Sequence, residues 1–175
     1  MNTTKRLAAD AMLAAMFVCL SFVSISLPNM KITLDSLPVL VAAFLFGPLD
    51  GLAVGLTGSF LNQMLTYGFT ATTLLWILPA GVRGLLVGLY ARKHGFELTQ
   101  KQTIFIVVLS ALAVTALNTV IMAIDSLIYG YYSTAYVFGA LIFRIIAGVL
   151  TAVAFSFIIP PLIKQLKKLV LIPDK

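Results

Sequence analysis

Residues 58–83 read GSFLNQMLTYGFTATTLLWILPAGVR, and the rest of the chain is arranged around them. The stretch passes from small and polar residues through aromatic to apolar ones, and it ends on a lone arginine. Long apolar runs flank it on both sides. A helix that meets only lipid has no use for Asn62, Gln63, Tyr67, Trp76 or Arg83, because each polar group there must find a partner. The wall of a ligand pocket does use such residues. We therefore read this stretch as much of a substrate site that opens to the outer face of a membrane.

The composition sets the solvent. The chain has 175 residues, 61% of them hydrophobic and 10% charged, against roughly 25% charged in soluble domains. Mean hydropathy is +1.06. The expected fold is an all-α integral membrane protein, a single compact bundle over residues 1–175 with short loops. The net charge of +6 comes from twelve Lys and Arg. Most of these sit at span ends, where they set topology, so nucleic-acid binding is not implied. Cys19 lies in an apolar run and His94 in a charged loop, so neither a disulfide framework nor a metal site is expected, and no cofactor. Lys5 and Arg6 precede an apolar run as in a cleaved leader. That run is about 20 residues, longer than the roughly 7–15 of a leader core, and is read as a retained first span.

Six spans are expected, at about 7–27, 37–46, 52–65, 73–91, 103–124 and 137–159. In the first, Ala8, Ala11 and Ala15 share one face and allow a close helix neighbour, inside the bundle or on another protein. Asp10 is one turn from Arg6 and in reach of it. Gly47-Pro48-Leu49-Asp50-Gly51 reads as a tight turn with Asp50 free to cap the next helix. A single kinked helix over 32–56 is the rival reading. Gly47, Gly51 and Gly55, and then Gly84 and Gly88, mark close-packing faces. The loop 125–136 is rich in tyrosine, as at a membrane–water interface. Pro160-Pro161 is expected to end the last span. With six spans, the N-terminus, the 92–102 loop and the C-terminus share one side, which collects Lys5, Arg6, Arg92, Lys93, Lys101, Lys164, Lys167, Lys168 and Lys175. Five spans would split these charges, so the positive-inside rule favours six with both ends cytoplasmic.

On this topology the polar residues converge. Asn62, Gln63 and Tyr67 fall at the outer end of span three, Trp76 at that of span four, Asn118 in the outer half of span five. Arg144 falls about two turns into span six. A charge inside a span costs at least about 2.5–3.5 kcal/mol on insertion scales, so it faces a cavity or a partner. Asp10, Asp50 and Asp125 all lie near span ends, so Arg83 and Arg144 have no evident internal counter-ion. An anionic ligand would supply one, since guanidinium grips carboxylate through two parallel bonds; bonding to backbone carbonyls is the alternative. Trp76, Pro79 and Arg83 share a helix face. The amides are suited to hydroxyl and amide ligands, or to holding helices together. Lys31, in an outer loop, is placed to close over the site or, as most loop lysines do, only to be solvated. HExxH, CxxC, GxSxG and Walker motifs are absent, so no catalytic residues are assigned and the chain is not read as an enzyme.

Several segments together resemble a known family. The Ala11/Ala15 pair, the segment Lys31-Ile-Thr-Leu-Asp-Ser-Leu-Pro38 with Leu45-Phe-Gly-Pro48, and Gly58-Ser-Phe-Leu-Asn-Gln63 leading to Leu75-Trp-Ile-Leu-Pro79 occur in order. The chain resembles the substrate-binding S-component of an energy-coupling-factor (ECF) vitamin transporter, of the folate-family or pantothenate type. The resemblance covers nearly the whole chain. It implies capture of a water-soluble vitamin from outside a bacterial cell membrane. It also implies assembly with two cytoplasmic ATPases and a transmembrane T-component, whose coupling helices Ala11 and Ala15 would meet. Arginine with asparagine, glutamine and one tryptophan suits pantothenate first and folate second. Pyridoxine or hydroxymethylpyrimidine comes third, for want of a carboxylate. A ligand-free membrane scaffold and a self-sufficient secondary transporter are the rivals from other classes.

Overall fold

Helix boundaries follow the local chemistry of the chain. The computed structural model describes residues 3–27 and 30–170. Helix α1 spans Thr3–Phe22, strands β1 and β2 span Ser24–Leu27 and Met30–Thr33, and helix α2 spans Ser36–Leu45. Helix α3 spans Pro48–Tyr67, α4 Thr73–Trp76, α5 Leu78–Lys93 and α6 Gln100–Ile128. Helices α7 (Thr134–Phe138) and α8 (Leu141–Val170) complete the order. Six helical passages result, with α4 continuing into α5 and α7 into α8. Thr73–Lys93, Gln100–Ile128 and Thr134–Lys168 are long and apolar enough to cross a membrane.

The break at 46–47 is real, so the kinked-helix reading fails. Gly47 sits at φ 107, a conformation open to glycine and strained for other residues, and Pro48 starts α3 at a position where its missing N–H costs nothing. Asp50 does not cap α3 with its side chain. It accepts from Arg6 instead, through Nε at 2.5 Å and through Nη2, and Arg6 Nη2 also donates to the Phe46 carbonyl at 2.9 Å. Arg6 thus ties α1 to the α2–α3 turn rather than pairing with Asp10 in its own helix. Thr99 and Gln102 form a capping box that starts α6.

Three boundaries differ from expectation. The first helix stops at Phe22, and β1 and β2 form an antiparallel hairpin with Ser24 opposite Thr33. Here the β-branched and serine-rich pattern overrides the apolar run that predicts helix to 27. Helix α6 continues through Asp125, which other elements hold in place. Helix α8 runs past Pro160 and Pro161 to Val170. Pro160 has no N–H to give the Ser156 carbonyl four residues back, and Gln100 Nε2 supplies that bond at 2.8 Å. Lys167 Nζ holds the far end to the Phe96 carbonyl at 3.1 Å.

Helix α2 is the hub. Pro38 to Phe44 are all buried, which explains why so short and uniformly apolar a helix is tolerated. Leu40, Phe44, Val87, Ala91, Ile106, Phe155 and Ile159 form the main core; Phe17, Val39, Ala42 and Val54 form a second core against α1. Helices α3 and α5 pack backbone to backbone. A Cβ on Gly84 would lie 2.1 Å from the Gly51 carbonyl oxygen, and one on Gly55 would lie 2.4 Å from that of Ala80. The glycine spacing therefore marks a helix crossing, as its sequence pattern predicts. Phe105, Leu109, Val120, Ile142, Phe143, Leu150 and Phe157 point outward from α6 and α8, as lipid-facing residues do. Ala8, Ala11 and Ala15 also face outward, beside the exposed Leu7, Met12 and Met16. They are not an internal packing face.

Candidate functional site

A cavity of about 530 Å³ opens at the hairpin end of the bundle, within the size range of small-molecule sites. Its floor is apolar: Leu40, Val107, Ala111, Ala152 and Phe155. Its upper wall holds Asn62, Gln63, Tyr67, Trp76, Arg83, Asn118 and Arg144. These are seven of the eight residues expected to bind a ligand, and they come from α3, α4, α5, α6 and α8. The eighth, Lys31, lies on β2 opposite Ser26; its side chain lies outside the described residues. Helices bring the seven together because each carries its polar group near the same end.

The arginines are held but not neutralised. Arg144 donates through Nη1 to Met122 Sδ at 3.3 Å and through Nη2 to the Val137 carbonyl. Arg83 donates through Nη1 to Ser36 Oγ. The Nε of each is buried without a hydrogen-bond partner. Among the described residues, neither makes a salt bridge within 4 Å. Each guanidinium therefore keeps donors that the fold does not use. The backbone-carbonyl alternative accounts for one Nη of Arg144 and for none of its Nε.

Arg144 stands in the first turn of α8, inside the apolar span Thr134–Lys168 to which α7 also belongs. Arg83 reaches Ser36 at the first residue of α2. Ser36 Oγ in turn donates to Asp35 Oδ1 at 3.2 Å. Asp35 thus stands one hydroxyl away from Arg83, a link between segments 47 residues apart that no local pattern reveals. Asp35, Ser36, Thr115 and Tyr136 line the cavity as well, and sequence reasoning did not single them out as ligand contacts. The tyrosine-rich run around Tyr136 was the available signal.

The amides divide. Asn62 Oδ1 accepts from Ser21 Oγ at 2.7 Å and from Thr66 Oγ1 at 3.3 Å, so Asn62 joins α1 to α3 while bordering the cavity. Gln63 and Asn118 line the cavity and, among the described residues, carry no such ties. Trp76, Pro79 and Arg83 share the cavity wall, although the helix breaks at Ile77 between α4 and α5. No group of three or more His, Cys, Asp or Glu stands together among the described residues.

The fold and this cavity define a helical membrane protein with a ligand-sized pocket opening at one end of its bundle. The chain belongs to the family described as ECF-type riboflavin transporter, S component, whose model matches residues 1–168. Its fold is similar to that of a solved S component of a bacterial ECF transporter, with a TM-score of 0.69 and 24% identity over 95% of this chain and 99% of that one. It is also similar to FolT bound with folic acid, with a TM-score of 0.65 and 24% identity over 93% and 96%. A UPF0397 protein of Leuconostoc citreum is 39% identical over 97 residues, covering 52% of this chain and 50% of that protein. One of Streptococcus agalactiae is 30% identical over 101 residues, covering 56% and 54%. The chain spans about half the length of these curated relatives in the matched regions.

Proposed function

We propose that this protein is the substrate-binding subunit of an ECF transporter and that its ligand is a water-soluble vitamin bearing a carboxylate, pantothenate first. One observation carries the reading: two arginines on the cavity wall each keep a buried Nε with no partner and no carboxylate within bridging distance. Burying an unpaired cation donor is costly. A ligand carboxylate at the Nη groups supplies the missing counter-charge. Gln63 and Asn118 then serve the amide and hydroxyls of the ligand, and Trp76 its apolar flank. Lys31, on the hairpin, closes over the mouth. Transport follows from partners: a T-component meeting α1 at Ala8, Ala11 and Ala15, and two ATPases. The chain sits in a bacterial cell membrane with both termini cytoplasmic.

Folate is the second reading. A pterin needs aromatic faces, and the cavity borders Phe17, Tyr67, Trp76, Tyr136 and Phe155, more than Trp76 alone. A neutral flavin, as the family description names, suits those rings but leaves Arg144 without an anion, while Arg83 keeps Asp35 one hydroxyl away.

Arg144→Ala is expected to weaken pantothenate binding by roughly 2–5 kcal/mol, the usual loss when one partner of a buried charge pair is removed. Arg144→Lys recovers little, because one ammonium cannot reproduce the fork. The carboxamide analogue binds the wild type poorly but loses much less in Arg144→Ala, and calorimetric titration of all four combinations reads this non-additivity. Equal losses for acid and amide would make Arg144 a packing residue.

A further inference from the structure

Asp125 is a carboxylate within the last two turns of α6, where the helix dipole disfavours negative charge. It does not border the cavity. No lysine or arginine bridges it among the described residues. Its position is accounted for by three neutral donors: Thr72 before α4, Trp76 at the end of α4, and Tyr131 in the loop after α6. Thr72 Oγ1 donates to Oδ1 at 2.5 Å and Trp76 Nε1 to the same oxygen at 3.2 Å. Tyr131 donates its hydroxyl to Oδ2, and the carboxylate holds that phenol above its ordinary pKa by accepting its proton in a hydrogen bond. A parallel tie runs from the Ala71 N–H to the Tyr129 hydroxyl at 3.2 Å.

Each arm ends on an aromatic wall of the cavity. Trp76 borders it directly. Tyr131 stands edge-on to Tyr136 with ring centroids 5.3 Å apart and planes at 88°, and Tyr136 borders the cavity as well. Charge-assisted bonds are roughly twice as strong as neutral ones, so one carboxylate can hold the α4 segment and the α6–α7 loop at once.

We propose that Asp125 is the positioning residue of this pocket. It sets the Trp76 indole through Oδ1 and the Tyr136 ring, by way of Tyr131, through Oδ2, and so fixes the spacing of the two aromatic walls at the mouth. This rests on the reading of the cavity as the vitamin site, but its first readout does not need the vitamin.

The chain contains a single tryptophan, so indole emission reports on Trp76 alone. The test compares emission maximum and acrylamide quenching of the ligand-free, full-length protein in wild type and Asp125→Ala, then titrates pantothenate into both. Expected are a shifted emission maximum, clearly stronger quenching, and an affinity loss of about tenfold, equivalent to 1.4 kcal/mol. Trp76→Phe combined with Asp125→Ala loses less than the sum of the two, because they act on one wall. If Asp125→Ala fails to fold, Asp125→Asn takes its place; it keeps the shape and loses the charge. Unchanged emission and quenching in the folded variant would overturn the proposal, and so would altered emission with unchanged affinity. A wild type that binds no pantothenate defeats the vitamin assignment instead, and the emission comparison then decides the role of Asp125 alone.

Discussion

Arg6 and the two cavity arginines show how differently one residue type can be used. Arg6 is 45% exposed and its partner Asp50 7%. Exposed pairs contribute about 0–1 kcal/mol, whereas removing one partner of a buried pair costs about 3–5. Half-exposed Arg6 falls between these limits, so Arg6→Ala is expected to cost about 1–3 kcal/mol, read as a lowered unfolding temperature in detergent, because it strands the Asp50 carboxylate. Arg83 and Arg144 instead keep buried Nε donors unused, which is a poor way to stabilise a fold and a good way to hold an anion. Their presence in the site was legible because a charge inside an apolar run has few uses. Their partners were not. Ser36 for Arg83 and Val137 for Arg144 come from the packing of separate segments. Asp10 seemed the partner of Arg6 by helical spacing, yet Asp50 lies 44 residues away and takes the bond. Spacing rules see only neighbours along one helix.

Elements were legible where apolar period and punctuation agreed. The Gly-Pro turn at 47–48 and the glycine series of α3 and α5 were read correctly, since small residues at fixed spacing have one purpose between helices. The hairpin after α1 is not legible because its first strand, 24–27, reads as the end of the apolar run and its second, 30–33, as loop. The prolines of α8 misled for an opposite reason: the cost of a missing N–H depends on what else can reach the freed carbonyl. Gln100 reaches it from α6, 56 residues earlier. Ser156 is fully buried, and leaving a buried acceptor unpaired costs about 1–3 kcal/mol. Gln100→Ala is therefore expected to destabilise the protein by that amount and to raise amide exchange around 156–165 more than elsewhere. Uniform exchange across α8 in the variant would show that Pro160 needs no such help.

At the scale of the molecule, the bundle separates its two ends. The hairpin end carries the cavity; the other carries Arg6, Arg92, Lys93, Lys101 and the lysines of α8. On the positive-inside rule that basic end is expected to face the cytoplasm. A single cysteine at position 95, in a Cys19→Ser background, is expected to resist an impermeant thiol reagent in intact cells and to react after lysis. Labelling from outside would invert the molecule. The outward face of Ala8, Ala11 and Ala15 is expected to dock the T-component. Ala11→Trp with Ala15→Trp should abolish complex formation and uptake while vitamin binding by the isolated subunit survives. Lost binding with an intact complex would move that face to the pocket's support. The central claim, that the unpartnered arginines serve a vitamin carboxylate, meets its most direct test in the ligand that the protein retains. Mass spectrometry of the small molecule released from protein purified from cells grown in rich medium is expected to find a carboxylate vitamin in stoichiometric amount, pantothenate before folate. A stoichiometric neutral ligand, such as riboflavin or pyridoxine, would contradict the account.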